Sequence, residues 1–129
     1  MQPEDLMLLT DFYEYTMAYA YFKENKHEEI AYFDMFVRTI PDGGGFLILN
    51  GLHRFIDFVQ HFHYTDDQID YLRKTGCFDE DFLHYLKTMT MDVDVWAIPE
   101  GTPVFANEPL VTIRGTLIQA QILETILLL

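Results

Sequence analysis

The sequence predicts an α+β fold, with helices packed on a small antiparallel sheet. Three observations point there. Leu52, Phe55, Ile56 and Val59 fall at i, i+3, i+4 and i+7, the spacing of one apolar helix face. Residues 30–38, Ile-Ala-Tyr-Phe-Asp-Met-Phe-Val-Arg, are rich in the aromatic and β-branched side chains that suit a strand. From Val93 onward, apolar and other residues alternate between Pro and Gly punctuation, as short strands do. At 129 residues, half of them hydrophobic, the chain has the length of one domain and can bury a real core.

The first helix is expected over residues 10–24. Thr10 is its N-cap by residue type, because a hydroxyl there accepts a hydrogen bond from a free first-turn amide. Asp11 adds negative charge where the helix dipole favours it. The strand over 30–38 follows. Asp42-Gly43-Gly44-Gly45 reads as a turn, since glycine tolerates positive φ. Phe46–Leu49 reads as a second short strand, expected to pair with the first as a hairpin. After the helix built on Leu52 to Val59, Thr65 with Gln68 forms a capping box for the next helix, and Gly76 ends it. Asp79 caps a short helix carrying Phe82, Leu83 and Leu86.

Val93, Val95 and Ala97 alternate with Asp94, Trp96 and Ile98, so Trp96 and Ile98 are expected to cover the second sheet face. Pro99, Gly101, Pro103 and Pro109 then divide three short strands of a small antiparallel unit. A last helix is expected from Thr116 onward. It ends on Ile126-Leu127-Leu128-Leu129, with no C-cap, Gly or last-turn Lys or Arg. From that apolar ending the chain is expected to be the N-terminal piece of a longer polypeptide.

The formal charge of −13 argues against nucleic acid, which needs a Lys/Arg surface, and against docking on anionic membranes. Any anion site must be local, built from a few placed cations. The single cysteine, Cys77, cannot form a disulfide within the chain, which fits a reducing, cytoplasmic setting. With no activating partner visible, Cys77 is expected to be a small buried apolar residue. No apolar run reaches membrane-spanning length.

Tyr13 sits in the first helical turn, where two readings fit: ordinary core packing, or an aromatic face that meets a flat ligand. Arg38 closes a strand before a Pro-Asp-Gly turn. It reads as a surface ion pair with Asp34 or Asp42, or as a guanidinium fork for phosphate. Gly43-Gly44-Gly45 matches no phosphate-loop spacing. His61 and His63 lack a third ligand and read as exposed histidines at a helix end. Asp66, Asp67, Asp79, Glu80 and Asp81 lie at helix starts and serve the dipole, with no metal site or acid–base pair read from them.

Several segments, in one order along the chain, carry a family resemblance. Leu8-Leu9-Thr10-Asp11-Phe12-Tyr13-Glu14-Tyr15-Thr16-Met17 is the first. Phe33-Asp34-Met35-Phe36-Val37-Arg38-Thr39-Ile40-Pro41 follows, with Gly43-Gly44-Gly45-Phe46 after it. Next come Thr75-Gly76-Cys77-Phe78-Asp79-Glu80-Asp81-Phe82-Leu83 and the stretch Ile98-Pro99-Glu100-Gly101-Thr102-Pro103-Val104-Phe105-Ala106-Asn107-Glu108-Pro109-Leu110. Gln119-Ala120-Gln121-Ile122-Leu123-Glu124-Thr125 is the last. Together they resemble the N-terminal domain of nicotinate phosphoribosyltransferases.

The resemblance implies that residues 1–129 form the N-terminal domain of a type II phosphoribosyltransferase, cut within its last helix, with the family's α/β barrel domain absent. It implies a parent enzyme of NAD salvage that transfers phosphoribosyl from 5-phosphoribosyl-1-pyrophosphate to nicotinate. The products are nicotinate mononucleotide and pyrophosphate, with ATP hydrolysis coupled. ATP and Mg²⁺ are bound mainly by the barrel, and the active site is shared across a homodimer. In the family, the Tyr matching Tyr13 stacks on the nicotinate ring, and the Arg matching Arg38 reaches the phosphoribosyl donor across the dimer. Asp11 is implied to lie behind them, orienting a cation or hydroxyl, or else only to complement the dipole. The phosphorylated histidine of the family belongs to the barrel, so none of the five histidines inherits that role. No catalytic or metal-binding residue is assigned to this chain, which alone is expected to be inactive. A nicotinamide-using relative and a free-standing interaction module are the alternatives.

Overall fold

The computed structural model describes residues 6–129. Helix α1 runs Phe12–Lys23, and strand β1 Ile30–Met35. A 3-10 turn at Pro41–Gly43 leads to the two-residue strand β2, Leu47–Ile48. Three helices follow, α2 Leu52–Gln60, α3 Asp66–Lys74 and α4 Glu80–Thr88. Strands β3 Asp94–Ala97, β4 Pro103–Val104 and β5 Val111–Thr116 precede α5 Leu117–Gln121 and α6 Glu124–Leu128. Helices pack on a small antiparallel sheet, as expected.

The sheet is three-stranded in the order β1-β5-β3, with β5 central. Ile30 to Met35 pair antiparallel with Thr116 to Val111, and Asp94 to Ala97 pair with Arg114 to Val111. The expected hairpin between the first two strands does not form: β2 pairs with β4, Leu47 opposite Val104. The turn explains this. Asp42 and Gly43 both take positive φ, at 56° and 65°, which turns the chain away from the β1 edge. Leu49 then joins Val104 and Leu110 in a small separate core. For the same reason the strands after Val93 are no self-contained unit, since β4 leaves with β2.

Inward positions of β5, at Val111, Ile113 and Gly115, are buried, while the alternate ones are half-exposed. Gly115 is required by packing: a Cβ there would lie 2.6 Å from Val93 Cγ1. Gly115→Ala is expected to destabilise the chain by about 1–3 kcal/mol through overpacking. A denaturant midpoint equal to wild type contradicts that. On the opposite face Trp96 is 54% exposed, so it lies on the expected side of the sheet but is left largely open among the described residues. Ile98, beyond the strand, packs against the small core instead.

The main core is aromatic. Phe82 is fully buried and meets Tyr19, Phe22 and Phe78 at centroid distances of 5.2, 5.5 and 5.4 Å. Helix α2 is rotated from the expected face: Phe55 and Phe58 are buried, while Ile56 is exposed. The larger Phe58 ring takes the inward place and packs edge-on against Phe62 at 5.6 Å.

Capping follows the sequence at two helices. Thr65 Oγ1 accepts from Gln68 N at 3.3 Å, and Gln68 Oε1 accepts from Thr65 N at 2.9 Å. Asp79 Oδ1 accepts from Phe82 N at 3.0 Å, while its Oδ2 accepts from Lys23 Nζ at 2.8 Å and Tyr19 OH at 3.1 Å. The Lys23 hydrogen bond holds the Asp79 carboxyl below its ordinary range. The dense acids Asp66, Asp67, Glu80 and Asp81 all lie in first helical turns.

Three further expectations are corrected. Cys77 is exposed, because the left-handed Gly76 (φ 71°) turns Phe78 inward in its place. The N-cap of α1 is Asp11, one residue later than expected, and its side chain makes no capping bond. The last helix is broken at Ile122 and Leu123 into α5 and α6.

Candidate functional site

Helix α1 buries Glu14, Tyr15 and Ala18 and turns Phe12, Tyr13 and Met17 outward. Tyr15 is the packing aromatic of this turn: its OH donates to Met7 O at 2.9 Å and lies 3.1 Å from Tyr64 OH. Tyr13 is 43% exposed, so it is not core packing. Its phenol lies beside Glu124, the first residue of α6. The hydrogen bond to that carboxylate, then burial and the nearby acids, push its pKa up to about 12. Like any tyrosine, it is a neutral donor at physiological pH.

Beneath Tyr13 lies a carboxylate that the sequence did not single out. Glu14 is fully buried. Its Oε1 accepts from Thr125 N at 3.2 Å and Thr125 Oγ1 at 2.5 Å, and its Oε2 accepts from Thr10 Oγ1. Burial raises its pKa, against the opposing pull of those hydrogen bonds. The arrangement accounts for two of the corrections above. Thr10 spends its hydroxyl on Glu14 rather than on the helix amides. The break at 122–123 leaves Thr125 N–H to the Glu14 carboxylate.

Asp11 meets the same elbow through its backbone, donating N–H to Thr125 Oγ1 at 3.2 Å. Arg38 lies three residues past the end of β1, exposed. Among the described residues it makes no ion pair with Asp34 or Asp42. Asp34 instead accepts from Thr112 Oγ1 at 2.5 Å. Arg38 lines a cavity of about 490 Å³ together with Phe33, Asp34, Ile113, Glu124 and Leu127. Glu124 thus joins the two candidates, lining the Arg38 cavity and holding the Tyr13 phenol.

Glu14, Glu124 and Thr125 are the members that sequence reading missed. An acid on the helix face of Ala18, four residues on, was the available signal for Glu14. The partnership with Thr125 spans 111 residues and leaves no local trace.

Other features of the chain are less suited to ligands. A second cavity, of about 630 Å³, includes the start of α2. The first amides there are already taken: Glu100 Oε1 accepts from Gly51 N at 2.9 Å and His53 N at 3.1 Å. His61 and His63 are exposed, with their Nδ1 atoms 2.8 and 2.9 Å from the carbonyls of Asp57 and His61. Among the described residues no group of three or more His, Cys, Asp or Glu could hold a metal ion, and no helix is long and apolar enough to cross a membrane.

Residues 8–129 match the family described as the nicotinate phosphoribosyltransferase (NAPRTase) N-terminal domain. The chain is 43% identical over 121 residues to nicotinate phosphoribosyltransferase 1 of Arabidopsis thaliana, covering 92% of this chain and 22% of that protein. It is 34% identical over 125 residues to the nicotinate phosphoribosyltransferase of Bacillus subtilis, covering 97% of this chain and 26% of that one. The crystal structure of human nicotinic acid phosphoribosyltransferase superposes with a TM-score of 0.83 at 34% identity, over 92% of this chain and 24% of the human one. The chain thus spans about a quarter of the length of the relatives it matches. An α+β fold with an exposed tyrosine and an exposed arginine about one acidic elbow, matched in sequence and shape over nearly its whole length, belongs to the nicotinate phosphoribosyltransferase family as its N-terminal domain.

Proposed function

We propose that this chain supplies one wall of the active site of an enzyme that transfers phosphoribosyl from 5-phosphoribosyl-1-pyrophosphate to nicotinate in NAD salvage, releasing nicotinate mononucleotide and pyrophosphate. The observation that carries this reading is the placement of Tyr13 and Arg38 about Glu124. The outward Tyr13 ring stacks on the pyridine ring, an interaction worth about 0.5–1.5 kcal/mol beyond area burial. Stacking binds the pyridine ring with its nitrogen facing the anomeric carbon, so the chain contributes mainly to nicotinate binding. A phenol is neutral at physiological pH, so Tyr13 brings no negative charge to the nicotinate carboxylate. Arg38 presents its guanidinium fork to a phosphate of the donor.

A complete site needs a catalytic domain beyond the described residues, and both side chains serve a neighbouring copy in a homodimer. The alone-standing chain is accordingly inactive. ATP hydrolysis is coupled in the same enzyme, which acts in the cytoplasm. ATP and Mg²⁺ are held mainly by the catalytic domain.

The test is steady-state kinetics of the complete protein carrying Arg38→Ala. Losing a charged hydrogen bond costs about 1.5–3 kcal/mol. The KM for 5-phosphoribosyl-1-pyrophosphate is therefore expected to rise roughly tenfold or more, with the KM for nicotinate little changed. An unchanged donor KM overturns the assignment of Arg38.

A further inference from the structure

The Tyr13–Glu124 meeting lies directly beside the Glu14–Thr125 cluster: two successive residues of α1 face two successive residues of α6. We propose that Glu14 is a positioning residue for Tyr13, acting by clamping the first turn of α1 to the α5–α6 elbow through Thr125. This rests on the reading of Tyr13 as the nicotinate-stacking ring.

Three features of the cluster support it. The elbow is held there by side chains, because Thr125 N–H and Oγ1–H both donate to Glu14 Oε1. Thr125 Oγ1 in turn accepts from Asp11 N, so the hydroxyl bridges the backbone at the start of α1 and the carboxylate one turn in. Thr10 Oγ1 fills Oε2, so both carboxylate oxygens have donors. A buried carboxylate with no cation against it among the described residues is a costly choice for stability alone, since burial penalises its charge. What it provides is a fixed distance between the Tyr13 backbone and Glu124. If the elbow drifts, the phenol loses its acceptor and the ring its orientation, and small misplacements of a binding group carry large penalties.

The experiment is a double-mutant cycle in the complete protein, read as nicotinate KM and kcat. Thr125→Val keeps the shape and the backbone N–H but removes the hydroxyl bridge. It is expected to raise the nicotinate KM roughly five- to tenfold, with kcat within about twofold. In a Tyr13→Ala background the same change is expected to add nothing. Glu14→Gln, which keeps an acceptor for Thr125 and presents its amide to the Thr10 hydroxyl, is expected to stay within about twofold of wild type. Glu14→Ala, which removes both acceptors, is expected to raise the nicotinate KM at least as much as Thr125→Val; should it not fold, Thr125→Val still decides. A Thr125→Val protein with lowered Tm but unchanged nicotinate KM overturns the inference, as does an equal further rise in the Tyr13→Ala background. If Tyr13→Ala alone leaves the nicotinate KM unchanged, the reading of Tyr13 fails and takes the inference with it. That single variant separates the two failures.

Discussion

Phe82→Ala is expected to destabilise the chain by about 3–5 kcal/mol. Phe82 is wholly buried at the centre of the aromatic core, where its ring meets Tyr19 and Phe22 of α1, Phe78 of the preceding turn, and Tyr85, stacked at 6.5 Å. Its removal leaves a cavity walled by rigid rings from separate segments, which relax poorly into the space. It also loosens α4 from α1, leaving the Phe22–Tyr85 ring contact at 5.3 Å, the Tyr19–Asp79 hydrogen bond and the exposed Lys23–Asp79 pair, itself a weak tie. Unfolding by urea should show a lower midpoint at an unchanged slope. A loss below about 1 kcal/mol contradicts this account of the core.

The elements most legible in the sequence were those governed by local chemistry. Thr65 and Gln68 cap each other because they are three residues apart at a helix start, and Asp79 caps α4 for the same local reason. Gly76 ends α3 because it takes a left-handed φ of 71°. Expectations failed where a distant partner decided. Sequence adjacency suggested that 46–49 pairs with 30–38, yet β5 supplies six residues in register against β1, and β2 goes to β4. One continuous final helix was expected from Thr116 onward, yet Glu14, 111 residues away, takes the Thr125 amide just past the break. Periodicity also cannot weigh ring size, so it chose Ile56 where Phe58 is the buried residue.

The candidate site divides in the same way. Tyr13, Arg38 and Asp11 were readable because the resemblance names them. Their grouping about Glu124 was not, since it depends on how the elbow after β5 folds back onto α1. Tyr13 and Arg38 come from different elements, and only the tertiary structure brings both to one acidic residue.

Tyr13→Ala is the second substitution of large expected effect, and it bears on binding more than on stability. The ring is 43% exposed and is absent from the core, whereas its neighbour Tyr15 is buried. Removing it should therefore lower Tm by no more than a few degrees. Removing a stacking face together with its contact area should weaken nicotinate binding roughly tenfold or more. Tyr13→Phe keeps the face and gives up only the Glu124 hydrogen bond, so its loss should be smaller. The decisive measurement is the nicotinate KM of the complete protein carrying Tyr13→Ala, taken beside its Tm. A rise of roughly tenfold with folding nearly intact is the predicted result, and a nicotinate KM equal to wild type contradicts the central claim that this ring closes over the substrate.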